Sequence, residues 1–358
     1  MVEFARCGFG ARLKTVLACV VLLSACGGGS EPVTPAQPAA APALESAAAV
    51  SAAPTPDAKS RRKLRSHAWK GITALALTRD GALIAAADAD GTVRLLEAAS
   101  VQPKSTLGAP SRLATTAVAF SADGARLVSG GRDSVGRVWD VASGARRLSL
   151  HGPESAIRCI AVSPDGSLVA AAGEETRVLL WSADTGRLSR ILSGATDFVN
   201  AIAFSPDGTR LAGADASGRV LLWSLASSRL ELALTGHTGE VNTVAFSPDG
   251  RLLASAGEDA RVILWDLARG QAVATLSGHQ AALRSVAFSR DGTRLASAGE
   301  DGRVLLWDVA ARRLVKALSG VDAAINALAF DARDGNLLFA GGEDNQVRRW
   351  DVALGTLR

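Results

Sequence analysis

Two groups of residues have the types needed for nucleophilic catalysis. One is His237, Ser255 and Asp259; the other, 42 residues on, is His279, Ser297 and Asp301. A hydroxyl beside an imidazole that a carboxylate orients is how serine hydrolases activate their nucleophile. Each group leads to a tryptophan, Trp265 and Trp307. The surrounding stretch is itself written twice, as VAFSPDGRLLASAGEDARVILWD at 244–266 and VAFSRDGTRLASAGEDGRVLLWD at 286–308. A catalytic constellation has no reason to recur in step with a repeat, so the duplication favours a structural role. No metal set accompanies these residues. His67 and His151 fall in different copies, and no paired Cys or His-x-x-x-His spacing occurs. Phosphate loops and dinucleotide fingerprints are also missing. The sequence therefore gives no reason to expect catalysis, a metal or a cofactor.

The cysteines carry a different chemistry. Residues 1–25 have a basic start (Arg6, Arg12, Lys14) and a short apolar run at 15–23, TVLACVVLL. That run is too short to span a bilayer, which takes about 20 residues. Leu23-Ser24-Ala25-Cys26 then resembles the lipobox of bacterial lipoproteins, which implies lipidation of Cys26 and removal of residues 1–25 as a signal peptide. Gly27, rather than Asp, implies sorting to the outer membrane, with the domain facing the periplasm of the cell envelope. Cys7 and Cys19 would leave with the signal, so Cys159 would be alone in the mature chain, without a disulfide partner. Other copies of the repeat have Ala201, Thr243, Ser285 and Ala327 at its position, so a small buried residue is expected there.

Residues 26–60 form the second region. They hold six of the twelve prolines and almost no large apolar side chains, so they read as a linker. Its reach is roughly 30–40 Å as a coil. Residues 61–358 form the third region and hold the repeat. The formal charge is +4 overall, and removing 1–25 leaves 36 basic and 34 acidic residues. This balance gives no footprint for nucleic acid.

Asp-Gly recurs at 80–81, 123–124, 165–166, 207–208, 249–250, 291–292 and 334–335, in steps of 42 or 43. A second marker runs in phase: Leu96, Trp139, Trp181, Trp223, Trp265, Trp307 and Trp350. Seven copies follow, and units of this size cannot bury their faces alone. Within a copy, 244–247, 252–255, 261–265 and 271–276 read as four strands separated by turn chemistry. Their apolar runs need cover on both faces, and small sheets stacked around an axis supply it. Five phenylalanines, at 120, 204, 246, 288 and 330, keep the phase and are expected in the core.

The Trp-Asp pairs (Trp139-Asp140, Trp265-Asp266, Trp307-Asp308, Trp350-Asp351), the Gly-His pairs (Gly236-His237, Gly278-His279) and the period resemble the WD40-repeat family. The resemblance implies an all-β, seven-bladed β-propeller with four antiparallel strands per blade. It implies a buried network of His237, Ser255, Asp259 and Trp265, repeated by His279, Ser297, Asp301 and Trp307. It also implies a non-catalytic, protein-binding scaffold. The register predicts that 61–66 completes the last blade beside 346–352. Blade one, with Leu96 in place of Trp, is expected to be the loosest.

By family geometry Thr73, Thr116, Arg158, Asn200, Asn242, Arg284 and Asn326 lie near the channel mouth on the top face. Trp69, Phe198 and Glu240 lie in loops beside them. The candidate partner-binding residues are Trp69, Arg158, Phe198, Asn200, Glu240, Asn242, Arg284 and Asn326, and the expected partner is a protein or peptide. Arg177, Arg219, Arg261 and Arg303 form a second ring, expected to pair with neighbouring carboxylates such as Glu175, Asp259 and Asp301. Two other readings remain open at this point. One is an enzyme with its site at the channel. The other is an envelope-assembly factor similar in layout to propeller lipoproteins.

Overall fold

A computed structural model describes residues 71–108, 113–318, 321–331, 333 and 335–357. They contain twenty-eight strands, from β1 (Ile72–Leu77) to β28 (Thr356–Leu357), in seven four-stranded sheets. Every sheet is antiparallel and its strands follow chain order, so the protein is a seven-bladed propeller. Blade five shows the plan: β17 (Val241–Phe246), β18 (Leu252–Gly257), β19 (Arg261–Asp266) and β20 (Gln271–Ser277). The turn after β17 is set by its side chains. The Ser247 hydroxyl donates to Asp249 Oδ1 at 2.6 Å, and the Arg251 N–H donates to the same oxygen. Gly250 has φ +70, and its Cα faces Pro206 of the preceding blade's turn.

In blades five and six strands two and three are largely buried on both sides, whereas the fourth strand is mostly exposed except for a leucine near its end, Leu276 or Leu318; in blade seven the third strand is half-buried at 347–349 and the fourth is exposed throughout. First strands adjoin one another around the ring, with β25 (Ile325–Phe330) against β1 at the seam. The first strand starts at Val241, one residue before Asn242, where the inner strand is expected to begin, and three before the apolar run at Val244. A β-bulge explains the difference. Val241 pairs with Gly257 and Thr243 with Ala256, leaving Asn242 as the extra residue. The same bulge falls at Thr73, Thr116, Arg158, Asn200, Arg284 and Asn326. It interrupts the alternation that marks a strand in sequence. The in-phase phenylalanines also depart from expectation. Phe330 is buried, but Phe120, Phe204, Phe246 and Phe288 are half-buried, packed against the edges of the inter-blade cores.

The core lies between blades. Trp265 packs in one cluster with Ala212 and Ala214 of the preceding blade, and Trp307 with Ala254 and Ala256. Trp350, Trp139 and Trp223 repeat the arrangement. A large side chain thus meets small ones at five boundaries, while Trp181 meets Val128 between blades two and three. At the seam the sizes are inverted. Leu96 stands where other blades have Trp, and Phe339 stands where the preceding blade would have a small residue. Both are buried in one cluster with Ile72 and Ile84. The missing indole of blade one is therefore compensated at the seam by a ring from blade seven.

Polar bonds also cross the seam. Asn326 Nδ2 donates to Ile72 O at 2.7 Å, Arg94 Nη2 to Asn345 Oδ1 at 2.7 Å, and Arg333 and Arg349 donate to the Gly81 and Ala99 carbonyls. In blade seven the fourth strand, β28, pairs only with Trp350 and Asp351. The clasp expected from 61–66 lies outside the described residues.

Phe339→Ala should cost about 3 kcal/mol or more, because its cavity opens in a fully buried interface. Adding Leu96→Trp to that variant should recover much of the loss, since it recreates the pairing of the other boundaries. Urea unfolding of the single and double variants measures both.

Candidate functional site

The first strands bring the seven bulge residues to one end of the central channel, and a bulge re-aims its side chain away from the sheet. Most of them reach sideways to the next blade. Thr73 Oγ1 donates to Thr115 O at 2.6 Å, and Thr116 Oγ1 to Ile157 O. Asn200 Nδ2 donates to Val241 O at 3.0 Å, Asn242 Nδ2 to Leu283 O at 2.9 Å, and Asn326 Nδ2 to Ile72 O. The two arginines bond to the neighbour's amide instead: Arg158 Nη1 to Asn200 Oδ1 at 2.8 Å, and Arg284 Nη1 to Asn326 Oδ1. The candidate residues Arg158, Asn200, Asn242, Arg284 and Asn326 are therefore members of one circular chain of hydrogen bonds.

Around this chain stand the residues two positions earlier: Gly71, Ala114, Ala156, Phe198, Glu240, Ala282 and Ala324. Phe198 and Glu240 are the large members of an otherwise small set. The Arg158 guanidinium lies over the Phe198 ring, 5.6 Å from its centroid. Arg158 also bonds Glu174 at 3.2 Å, while Arg284 bonds Glu300 at 2.8 Å and Glu343 at 3.0 Å. Trp69 lies outside the described residues. The glutamates are functional neighbours that the sequence reading missed. Their signal was present: Glu174, Glu258, Glu300 and Glu343 each stand nine residues after the Asp of their blade's Asp-Gly pair.

The His–Ser–Asp–Trp groups sit inside the blades. In blade five Trp265 Nε1 donates to Ser255 Oγ at 2.8 Å, the Ser255 hydroxyl to His237 Nε2 at 2.8 Å, and His237 Nδ1 to Asp259 at 2.9 Å. Blade six repeats the chain at 2.8, 2.8 and 2.7 Å. The order matches a hydrolytic triad, but Ser255 and Ser297 have no exposed surface and their oxygens already accept an indole N–H. A substrate carbonyl has no approach, and each polar atom has a partner within the blade. Space explains the Gly of the Gly-His pair: a Cβ at Gly236 would lie 2.9 Å from Trp265 Cη2. Where the serine is absent, the indole turns to a loop carbonyl, Trp181 to His151 O and Trp223 to Ser193 O.

Burial, which disfavours the imidazolium, lowers the pKa of His237 and His279. Burial works against the Asp259 carboxylate too, but His237, the Thr238 N–H and Arg261 outweigh it and hold its pKa below the usual value. Cys159 is buried in the first strand of blade three, and desolvation pushes its thiol up to about 12, so it is inert as a nucleophile. The second arginine ring is paired. Arg177 meets Glu175 at 3.0 Å, Arg219 meets Asp215 at 2.8 Å, and Arg261 meets Asp259 at 2.8 Å. Arg303 instead donates through Nη1 to Gly278 O, and its backbone N–H binds Asp301. Among the described residues no cluster of three or more His, Cys, Asp or Glu side chains is placed to hold a metal.

The profile of the family described as "WD domain, G-beta repeat" matches seven times, at 58–96, 102–140, 144–182, 186–224, 228–266, 270–308 and 312–351. The chain belongs to this WD40 family. Propellers of the family are typically non-catalytic scaffolds that bind protein partners. A search for similar curated proteins returns no match.

The lowered histidine pKa values fix a pH dependence. The unfolded chain binds protons at pH about 6.5 while the folded chain does not, so stability falls as pH drops below that value. The same holds below about 3.8 for Asp249 and its counterparts, whose turn hydroxyls depress their pKa. The variant His237→Gln/His279→Gln should show a flatter dependence of melting temperature on pH between 6.5 and 5, with a lower melting temperature at pH 7.5.

Proposed function

We propose that this protein is a lipid-anchored interaction scaffold of the bacterial cell envelope, whose top face receives a protein or peptide partner. The anchor reading is supported by the order of basic start, short apolar run and Leu23-Ser24-Ala25-Cys26, with a Pro/Ala-rich spacer before the repeats. On this reading the domain faces the periplasm from the outer membrane.

The observation that carries the binding reading is the Arg158–Phe198 stack. In a ring of small residues at the channel mouth, one aromatic side chain rises with a guanidinium against its face. Glu174 and Asn200 hold that guanidinium in place. An anchored aromatic beside charged groups is the composition of an interface hot spot. The partner would place an apolar or acidic group there, while Arg284 and Glu240 read the adjoining charge. The Trp181 and Trp223 indoles, bonded to the His151 and Ser193 carbonyls, tie down the loops that lead to Arg158 and Phe198, which lowers the ordering cost of association.

Phe198→Ala/Arg284→Ala should weaken any partner captured from native membranes by at least tenfold, a loss typical of two hot-spot residues, when assayed well below the variant's melting temperature, which loss of the Arg284–Asn326 bond lowers. Undiminished capture would remove the top-face reading. Separately, Cys26→Ser should abolish incorporation of a labelled fatty acid and release the domain from the membrane fraction.

A further inference from the structure

The fourth strands form the rim of the propeller, and their charge differs from that of the whole chain. They carry seven Lys or Arg residues and one acidic residue, Glu231. Basic residues on an edge strand discourage pairing between sheets, but that purpose does not explain where the apolar exposure lies. Among the described residues seven large hydrophobic side chains are exposed, and four belong to blades six and seven. Leu314 and Val315 stand on β24 (Arg313–Leu318), at 40% and 54% exposure. Leu354 and Leu357, at 66% and 49%, stand on the closing turn and on β28. Lys316 joins the two groups, because its Nζ donates to Ala353 O at 3.0 Å and its chain lies along Gly355. Arg313 flanks them, and neither 313–318 nor 352–357 contains an acidic residue.

We propose that this sector of the rim, Leu314, Val315, Leu354 and Leu357 with Arg313 and Lys316, is a docking surface for an anionic lipid bilayer. Aliphatic side chains that enter the headgroup boundary, ringed by Lys and Arg, combine the two terms that drive peripheral binding. Charge complementarity selects an anionic surface. The proposal concerns the same membrane as the anchor reading, and its test omits Cys26 so that either can fail alone.

Residues 64–358 form a compact unit without the preceding segment, so chain 27–358 serves as the test protein. It should sediment with vesicles of phosphatidylglycerol and phosphatidylethanolamine at low salt, and not with phosphatidylcholine vesicles. Val315→Asp/Leu354→Asp should reduce the bound fraction about tenfold or more, since it removes apolar insertion and adds two repelling charges. Arg313→Gln/Lys316→Gln should reduce it about fivefold per charge and flatten the salt dependence. Leu188→Asp/Ile191→Asp, on the rim of blade three, should leave binding unchanged, and all variants should keep the parent melting temperature. The proposal is overturned if the parent chain ignores anionic vesicles, or if the blade-three variant loses as much as the Val315→Asp/Leu354→Asp variant. Competition by polyuridylate that is insensitive to Leu354 would overturn it too, by assigning the patch to generic polyanion binding.

Discussion

The propeller depends on one interaction that repeats around the channel: a side chain at a β-bulge reaching across to the next blade. Each bulge takes one residue out of its own ladder, which would be a local cost in an isolated sheet. Here the freed side chain finds a carbonyl or amide next door. From Asn326 to Ile72 the bond is the same at the seam as elsewhere, so blades seven and one are joined at the channel as any other pair. No sheet is complete without its neighbour, and the closed circle leaves only the rim as an edge.

This arrangement also sorts the polar residues by task. The buried His–Ser–Asp–Trp chains tie loop to blade, within one sheet and out of reach of any substrate. The channel-mouth residues tie blade to blade, and all but the buried Thr73 and Asn326 remain partly exposed at the top. Two sets of similar chemistry therefore do different work because of depth. Ser255 is sealed against Trp265, while Arg158 lies over the half-buried Phe198 ring nearer the surface.

Much of the architecture was legible in the sequence because the repeat is regular. The Asp-Gly and Trp markers located the blades, and the resemblance to WD40 repeats pointed to His237, Ser255, Asp259 and Trp265, side chains that do meet. What the sequence hid were features whose meaning lies between repeats. The bulge at Asn242 breaks the strand's alternation, so the strand seemed to begin at Val244. The phenylalanines kept phase and were read as core, but phase alone does not distinguish a core position from its margin. The glutamates that hold Arg158 and Arg284 come from other strands or other blades, and only the ring brings them together. The four exposed aliphatics of blades six and seven are scattered over 44 residues and carry no local signature.

The inverted pair at the seam has a wider consequence. Copies as alike as 244–266 and 286–308 could in principle join in the wrong order, closing a smaller circle or exchanging blades between molecules. Phe339 acts as a lock against this. A tryptophan-bearing blade placed beside it would be overpacked, and Leu96 placed beside Ala254 would leave a hole. The first and last blades fit each other better than either fits an inner blade, so the closing contact is written into the shapes of two side chains, Leu96 and Phe339.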